Sequence, residues 1–305
     1  MILRQATILL ILTILVASAG CAGRDIHREL KEDSQVLMRR WTLQTQSFTG
    51  ESGDRGFEFS NAVVHQNTLI FGSRGKGLVS IYPRLLQTRW TFPLEKGVLS
   101  EIVVNQSTVY FGGGDGYLYS VDAETGALNW KYELRNPQIS KPTVDGSRLF
   151  VTTTDDTVYA FDAASGKWLW HYRRRTAQTA SVRGASSPVV DGQQVLAGLS
   201  DGYLVALGLE DGSLKWEKRL HPGTKFVDVD ASVVVDDTRL LVPSYDGALY
   251  CLKRTNGEVI WKFDSGGARS ITLDDQRILF PSSDGFVYAL EKTSGKVLWK
   301  FELDA

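Results

Sequence analysis

Residues 120–130 read Ser-Val-Asp-Ala-Glu-Thr-Gly-Ala-Leu-Asn-Trp, and residues 160–170 read Ala-Phe-Asp-Ala-Ala-Ser-Gly-Lys-Trp-Leu-Trp. Both begin with a small residue, place Gly four residues before the last Trp, and end on that Trp. The pattern recurs along the chain. Trp90, Trp130, Trp170, Trp216, Trp261 and Trp299 stand 40, 40, 46, 45 and 38 residues apart. Ten residues before them lie Ser80, Ser120, Ala160, Ala206, Cys251 and Ala289. Gly126, Gly166, Gly212, Gly257 and Gly295 precede five of the Trp by four residues, and the first unit has Leu86 in that slot. Self-similarity at this period marks a repeat architecture.

Each unit lays out the same elements. An apolar run such as Arg148-Leu-Phe-Val-Thr152 leads to a turn, Asp155-Asp156. A second run, Val158-Tyr-Ala-Phe161, enters the Ser165-Gly166 turn, and a third carries the Trp. Four other units put Asp115-Gly116, Asp201-Gly202, Asp246-Gly247 and Asp284-Gly285 at the first turn. Asp-Gly suits tight hairpins because Gly takes positive φ without steric cost. A further β-rich segment, such as Pro142-Thr-Val or Pro188-Val-Val, precedes each unit. Four short antiparallel strands per repeat of about forty residues make a propeller blade. The predicted fold is therefore an all-β propeller of six complete blades over residues 41–305, with an extra N-terminal strand around Trp41 in Arg40-Trp-Thr-Leu43. Each ring is expected to fill the gap between neighbouring blades, with the turn Gly letting backbone approach it, and to bury roughly 150–250 Å². Cys251 occupies a small-residue slot and reads as packing.

The eleven-residue pattern resembles the Trp-docking motif of quinoprotein-type propellers over residues 60–303. That family contains both enzymes and scaffolds, so the motif speaks for fold. Its enzymes carry a Ca²⁺ site and often adjacent cysteines. This chain has two Cys, Cys21 and Cys251, far apart, and Asp228-Val-Asp230 is its one compact acidic pair. His27, His65, His171 and His221 lack metal-ligand spacing. Gly112-Gly-Gly-Asp-Gly116 lies between two strands with no helix after it, so it reads as a hairpin turn and not a phosphate loop. No G-x-S-x-G elbow occurs. The expectation is a binding scaffold without catalytic residues, cofactor, metal or small-molecule substrate. A formal net charge of −1 gives no electrostatic case for nucleic acid.

The first forty residues have a different character. Arg4 and the apolar run Ile8–Ala17 lead to Ser18-Ala-Gly-Cys21. A cationic end, a short apolar core and small residues make a secretory signal, too short to span a bilayer as a mature helix. The Ala19-Gly20-Cys21 ending resembles a bacterial lipoprotein signal, which implies cleavage after residue 20, acylation of Cys21 (palmitate among the chains) and attachment to a membrane. Ser18 departs from that pattern, where Leu is usual. Ala22 in place of Asp implies, by the same resemblance, the outer membrane. Residues 21–40 are strongly charged and read as a tether.

Two long insertions cause the gaps of 46 and 45. They are residues 173–188, ending Ala180-Ser-Val-Arg-Gly-Ala-Ser-Ser-Pro188, and residues 221–231, containing Asp228-Val-Asp230. Loops that leave a repeat are where such folds place function. The two segments resemble those of the BamB family, lipoprotein propellers of the bacterial outer-membrane protein assembly machine. The matches are Arg183, Gly184, Ser186, Pro188, Asp228 and Asp230, while Ala180 and Val182 are smaller than the family Leu. The resemblance implies that Ala180, Val182, Arg183, Gly184, Asp228 and Asp230 form a surface that binds BamA. A plain surface loop with Arg183 paired to Asp228 or Asp230 is compatible with this. A scaffold in another envelope complex, or a remnant of a quinone-binding enzyme, are the alternative readings.

Overall fold

A small residue opposite each Trp is the local rule from which the blades are built. In the computed structural model, Ser80 pairs with Trp90, Ser120 with Trp130, Ala160 with Trp170, Ala206 with Trp216, Cys251 with Trp261 and Ala289 with Trp299. A register shift follows each pair at the next residue of the third strand. A bulge there twists the fourth strand and aims its ring. The structure describes residues 60–73, 75–138, 140–174, 186–221, 229, 231–244, 247–265 and 270–303.

These residues form a β-propeller of six four-stranded antiparallel sheets, each in sequence order. The blades span residues 62–92, 103–133, 143–173, 189–219, 234–264 and 272–302, and are numbered one to six in that order. Second and third strands of blades two to five are almost wholly buried, as in Arg148–Thr152 and Thr157–Asp162. The fourth strands of blades two, four and five alternate, their Trp face turned to the next blade. The core is thus a set of inter-blade layers, such as Phe150, Val158, Ala160 and Trp170 against Val195, Ala197, Val205 and Leu207. The Trp41 strand and the signal and tether, residues 1–40, lie outside the described residues.

Docking of blade on blade follows one scheme. The turn before each Trp closes with the Gly N–H donating to a carbonyl four residues back, as from Gly126 to Asp122 at 2.8 Å. The Asp122 carboxylate accepts from Thr125 N and Oγ1, both at 2.8 Å, which explains the Asp-x-x-Thr-Gly spacing. The preceding blade's ring then lies on the Gly. A Cβ at Gly212 would sit 2.5 Å from Trp170 Cε3, and one at Gly166 would sit 2.5 Å from Trp130 Cδ2. The indole N–H donates to the turn carbonyl three residues past the small residue of the next blade's third strand: Trp90 to Ala123 at 3.1 Å, Trp130 to Ala163 at 3.0 Å, Trp170 to Leu209 at 3.2 Å. Trp216 departs from this. Its ring sits over Gly257 by Cζ3, and its buried Nε1 has no acceptor among the described residues.

Ion pairs staple several of the same interfaces. Asp191, 3% exposed in its side chain, receives both Nε (2.9 Å) and a terminal nitrogen of Arg254. Lys292 reaches Asp236 at 2.9 Å, Arg148 reaches Glu210, and Glu124 binds both His65 (3.1 Å) and Arg89. Cys251 is fully buried, and burial pushes its thiol up to about 11, as its packing slot requires.

Candidate functional site

Strand alternation decides where the repeat-breaking loops emerge. Fourth strands run in the direction of second strands, so the loops that follow them leave from the face carrying the Asp-Gly turns. The residues singled out from sequence, Cys21, Ala180, Val182, Arg183, Gly184, Asp228 and Asp230, lie outside the described residues. What is described is the set of feet on which the two loops stand, and these converge on blade four.

The first loop leaves blade three at Arg174. Its guanidinium lies 3.4 Å from the Tyr203 ring centroid, its Nε donates to Asp201 at 2.9 Å, and it also pairs with Glu217. Burial opposes the charge of Arg174, but the Glu217 and Asp201 carboxylates outweigh it and hold the group above its ordinary value. A stacked, doubly paired Arg is a rigid foot, because the planar fork loses little freedom per bond formed. Arg173, one residue earlier, reaches Asp155 at 3.4 Å. Asp201 keeps a second, buried carboxylate oxygen, Oδ1, without a partner among the described residues.

The loop returns through Ser186, fully buried, and Ser187, whose hydroxyl accepts from Lys141 N at 3.0 Å. Thr143 Oγ1 donates to the Pro188 carbonyl at 2.5 Å. The Ser-Ser-Pro ending therefore ties blade four to blade three.

Val229, between the two singled-out carboxylates, is 1% exposed. Its N–H donates to Leu199 O at 3.1 Å, and its carbonyl and Cγ1 stand 2.4 and 2.5 Å from where a Gly198 Cβ would be. Val98 and Gln138 hold the corresponding places in earlier blades, bridging Gly113 and Thr153. So Asp-Val-Asp is pinned at its centre by a core contact, and Gly198 is the residue that allows it.

Between the loops lies a contact that the sequence reading did not single out. Asp156 stands at the Gly position of the hairpin turn with φ 60. Its carboxylate accepts from Ser200 N at 2.9 Å and Ser200 Oγ at 2.5 Å, clasping the turn of blade three to that of blade four. An Asp in a left-handed site costs of order 1 kcal/mol, which the two hydrogen bonds offset. The visible signal was the departure itself, Asp-Asp where other units have Asp-Gly. The candidate histidines are structural or exposed: His65 binds Glu124, and His171 packs at 5.7 Å on both Trp168 and Tyr159. Among the described residues no group of three or more His, Cys, Asp or Glu could hold a metal.

A family model described as outer membrane protein assembly factor BamB matches residues 75–301. The chain belongs to the BamB family. Among curated relatives, BamB of Legionella pneumophila is 32% identical over 92 residues, covering 28% of this chain and 24% of that protein. BamB of Xanthomonas campestris is 35% identical over 97 residues, covering 30% and 24%. The chain thus spans about a quarter of the length of these curated relatives, 24% in each case. The crystal structure of BamB from Moraxella catarrhalis superposes with a TM-score of 0.72 at 25% identity, over 83% of this chain and 78% of that one. Quinohemoprotein alcohol dehydrogenase from Comamonas testosteroni superposes with a TM-score of 0.65 at 15% identity, over 81% and 61%. The second likeness is one of fold alone.

Proposed function

We propose that this chain is a non-enzymatic scaffold of the outer-membrane β-barrel protein assembly (BAM) machinery. In this reading it is held on the periplasmic face of the outer membrane by acyl chains on Cys21. It binds the periplasmic domains of a BamA-like protein through the two loops on the Asp-Gly face. The contact residues are Ala180, Val182, Arg183, Gly184, Asp228 and Asp230. Membership of the BamB family over residues 75–301 supports the assembly role.

The observation that carries the residue-level reading is the convergence of the loop feet. Arg174 and Val229 tie the two loops to blade four by ion pairs, a hydrogen bond and core packing, and Ser187 ties the end of the first loop to blade three. A pre-organised loop loses less entropy on binding, so more of its contact energy appears as affinity. An Arg beside small apolar residues is a common interface anchor.

Arg183→Ala should weaken association by about 2 kcal/mol or more, roughly thirtyfold, if Arg183 is a hot spot. Replacing Asp228 and Asp230 together should be non-additive with it if the three form one network. The assay is co-purification of BamA with each variant, with circular dichroism to confirm folding. A folded Arg183→Ala that retains BamA at the unaltered level removes the residue-level assignment.

A further inference from the structure

One carbonyl of blade four serves two purposes. Leu199 O accepts from Gly202 N at 3.2 Å, which closes the hairpin turn 199–202, and from Val229 N at 3.1 Å, which pins the second loop. In blades two and three the corresponding carbonyls, those of Gly113 and Thr153, accept among the described residues only from the turn's own Gly116 and Asp156. The blade-four turn also holds the foot of the first loop. Asp201 Oδ2 accepts from Arg174 Nε at 2.9 Å, and Ser200, between Leu199 and Asp201, donates twice to Asp156 of blade three.

Asp201 differs from its counterparts in what holds its charge. Asp115 accepts from the Tyr119 hydroxyl and Tyr117 N, and Asp284 from the Tyr288 hydroxyl and Phe286 N, all within their own blades. Asp155 accepts from Thr153 Oγ1 at 2.6 Å. Blade four has Val205 where blades two and six have that Tyr. Asp201 Oδ1 is buried without a partner among the described residues, and the side chain is only 10% exposed. Its charge therefore rests on Arg174, where the first loop leaves blade three. Stripped of that cation, a buried carboxylate is driven out to solvent. Asp201 lies between Leu199 and Gly202, so its exit breaks the turn that Leu199 O closes.

We propose that the turn Leu199-Ser200-Asp201-Gly202 couples the two loops, with Arg174 and Asp201 acting as positioning residues for the second loop as well as the first. Displacing Arg174 releases Asp201, opens the turn and loosens the Val229 N–H from Leu199 O. A change at the foot of the first loop is thereby felt at Asp228-Val-Asp230, and by reciprocity a change at Val229 is felt at Arg174. A partner that holds one loop finds the other already placed, and the ordering cost of the second contact falls. That the coupled loops meet a BamA-like protein rests on the reading above. The coupling itself does not.

The test is hydrogen exchange of the Val229 amide in the full chain, held in detergent micelles and read residue by residue by mass spectrometry with electron-transfer fragmentation. Arg174→Gln should speed Val229 exchange by about tenfold or more, because it leaves a buried charge unpaired next to the shared carbonyl. The Leu99 amide, which donates to Gly112 O at 2.9 Å in blade two, should keep its rate. Adding Asp201→Asn to Arg174→Gln removes the stranded charge, and Val229 should return to the rate seen in Asp201→Asn alone. The proposal is overturned by an unchanged Val229 rate in Arg174→Gln, by a Leu99 rate that rises by the same factor, or by a double variant as fast as Arg174→Gln. Should Arg174→Gln fail to fold, Arg174→Lys keeps a charge but loses the planar fork, and an unchanged Val229 rate there counts equally against it. Co-purification of BamA is a separate arm. Loss of BamA in Arg174→Gln, restored in the double variant, supports the coupling as part of partner binding. Full retention of BamA while Val229 exchange rises refutes the loop reading of partner binding and leaves the coupling standing.

Discussion

Gly212→Ala tests the docking scheme most directly, because a single methyl carries two separable penalties. Gly212 has φ 67, and a left-handed backbone costs an Ala of order 1–2 kcal/mol. The methyl would also stand 2.5 Å from Trp170 Cε3 and 2.7 Å from Cδ2. Trp170 cannot retreat freely. It is 5% exposed, packs against Phe150 at 5.8 Å and donates to Leu209 O at 3.2 Å. Overpacking of such a site costs about 1–3 kcal/mol. Together these give a loss of about 2–5 kcal/mol, or a Tm lower by roughly 4–20 °C at the 2–4 °C per kcal/mol typical of a domain this size. The matching experiment is Leu86→Gly, at the same slot of blade one. There the side chain is half exposed and φ is 54. Relief of the left-handed strain should leave stability unchanged or raise it by up to about 1 kcal/mol. Thermal unfolding followed by circular dichroism reads both variants. A neutral Gly212→Ala, or a Leu86→Gly that destabilises as much as Gly212→Ala, would refute the idea that these glycines exist to admit the preceding ring.

Four further expectations follow from particular contacts. Asp191→Asn removes the charge facing Arg254 inside the interface of blades four and five and should cost about 1–3 kcal/mol in urea unfolding; an unchanged midpoint would show the staple to be idle. Asp284 is held down to about 2: burial opposes this, but hydrogen bonds from Ser282, Ser265, Tyr288 and the Phe286 N–H prevail. Its folded value lies below the ordinary carboxylate value near 4, so its contribution is present above about pH 4 and is lost as pH falls towards 2; Asp284→Asn should flatten the stability profile in that window. Asp156→Gly exchanges strain for two lost hydrogen bonds to Ser200 and should change stability by less than about 1 kcal/mol; a larger loss on thermal unfolding would mean the clasp outweighs its strain. Cys21→Ser should leave unprocessed precursor or release soluble protein, since stable anchoring needs at least two acyl chains; mature variant still fractionating with outer membranes would remove the lipoprotein reading.

The repeat alone determined the blade. A small residue ten positions before Trp and a Gly four before it state a local geometry, and strand pairing, bulge and turn all lie within thirty or so residues of chain. That is why Ser120, Gly126 and Trp130 could be given roles before any coordinates, and why Cys251 could be read as packing. The resemblance at Arg183-Gly184 and Asp228-Val-Asp230 likewise located the candidate loops. Only the tertiary structure decided what each element meets. Asp156 clasping Ser200 joins residues 44 positions apart, and Arg254 reaches Asp191 across 63. Pairings at that separation depend on how one blade stacks on the next, which no local pattern encodes. The sequence likewise presents Trp299 as one more docked ring, identical in motif to Trp261. Yet Trp299 is 42% exposed while Trp90 and Trp170 are 8% and 5%, because burial belongs to a pair of surfaces and not to the residue that carries one of them.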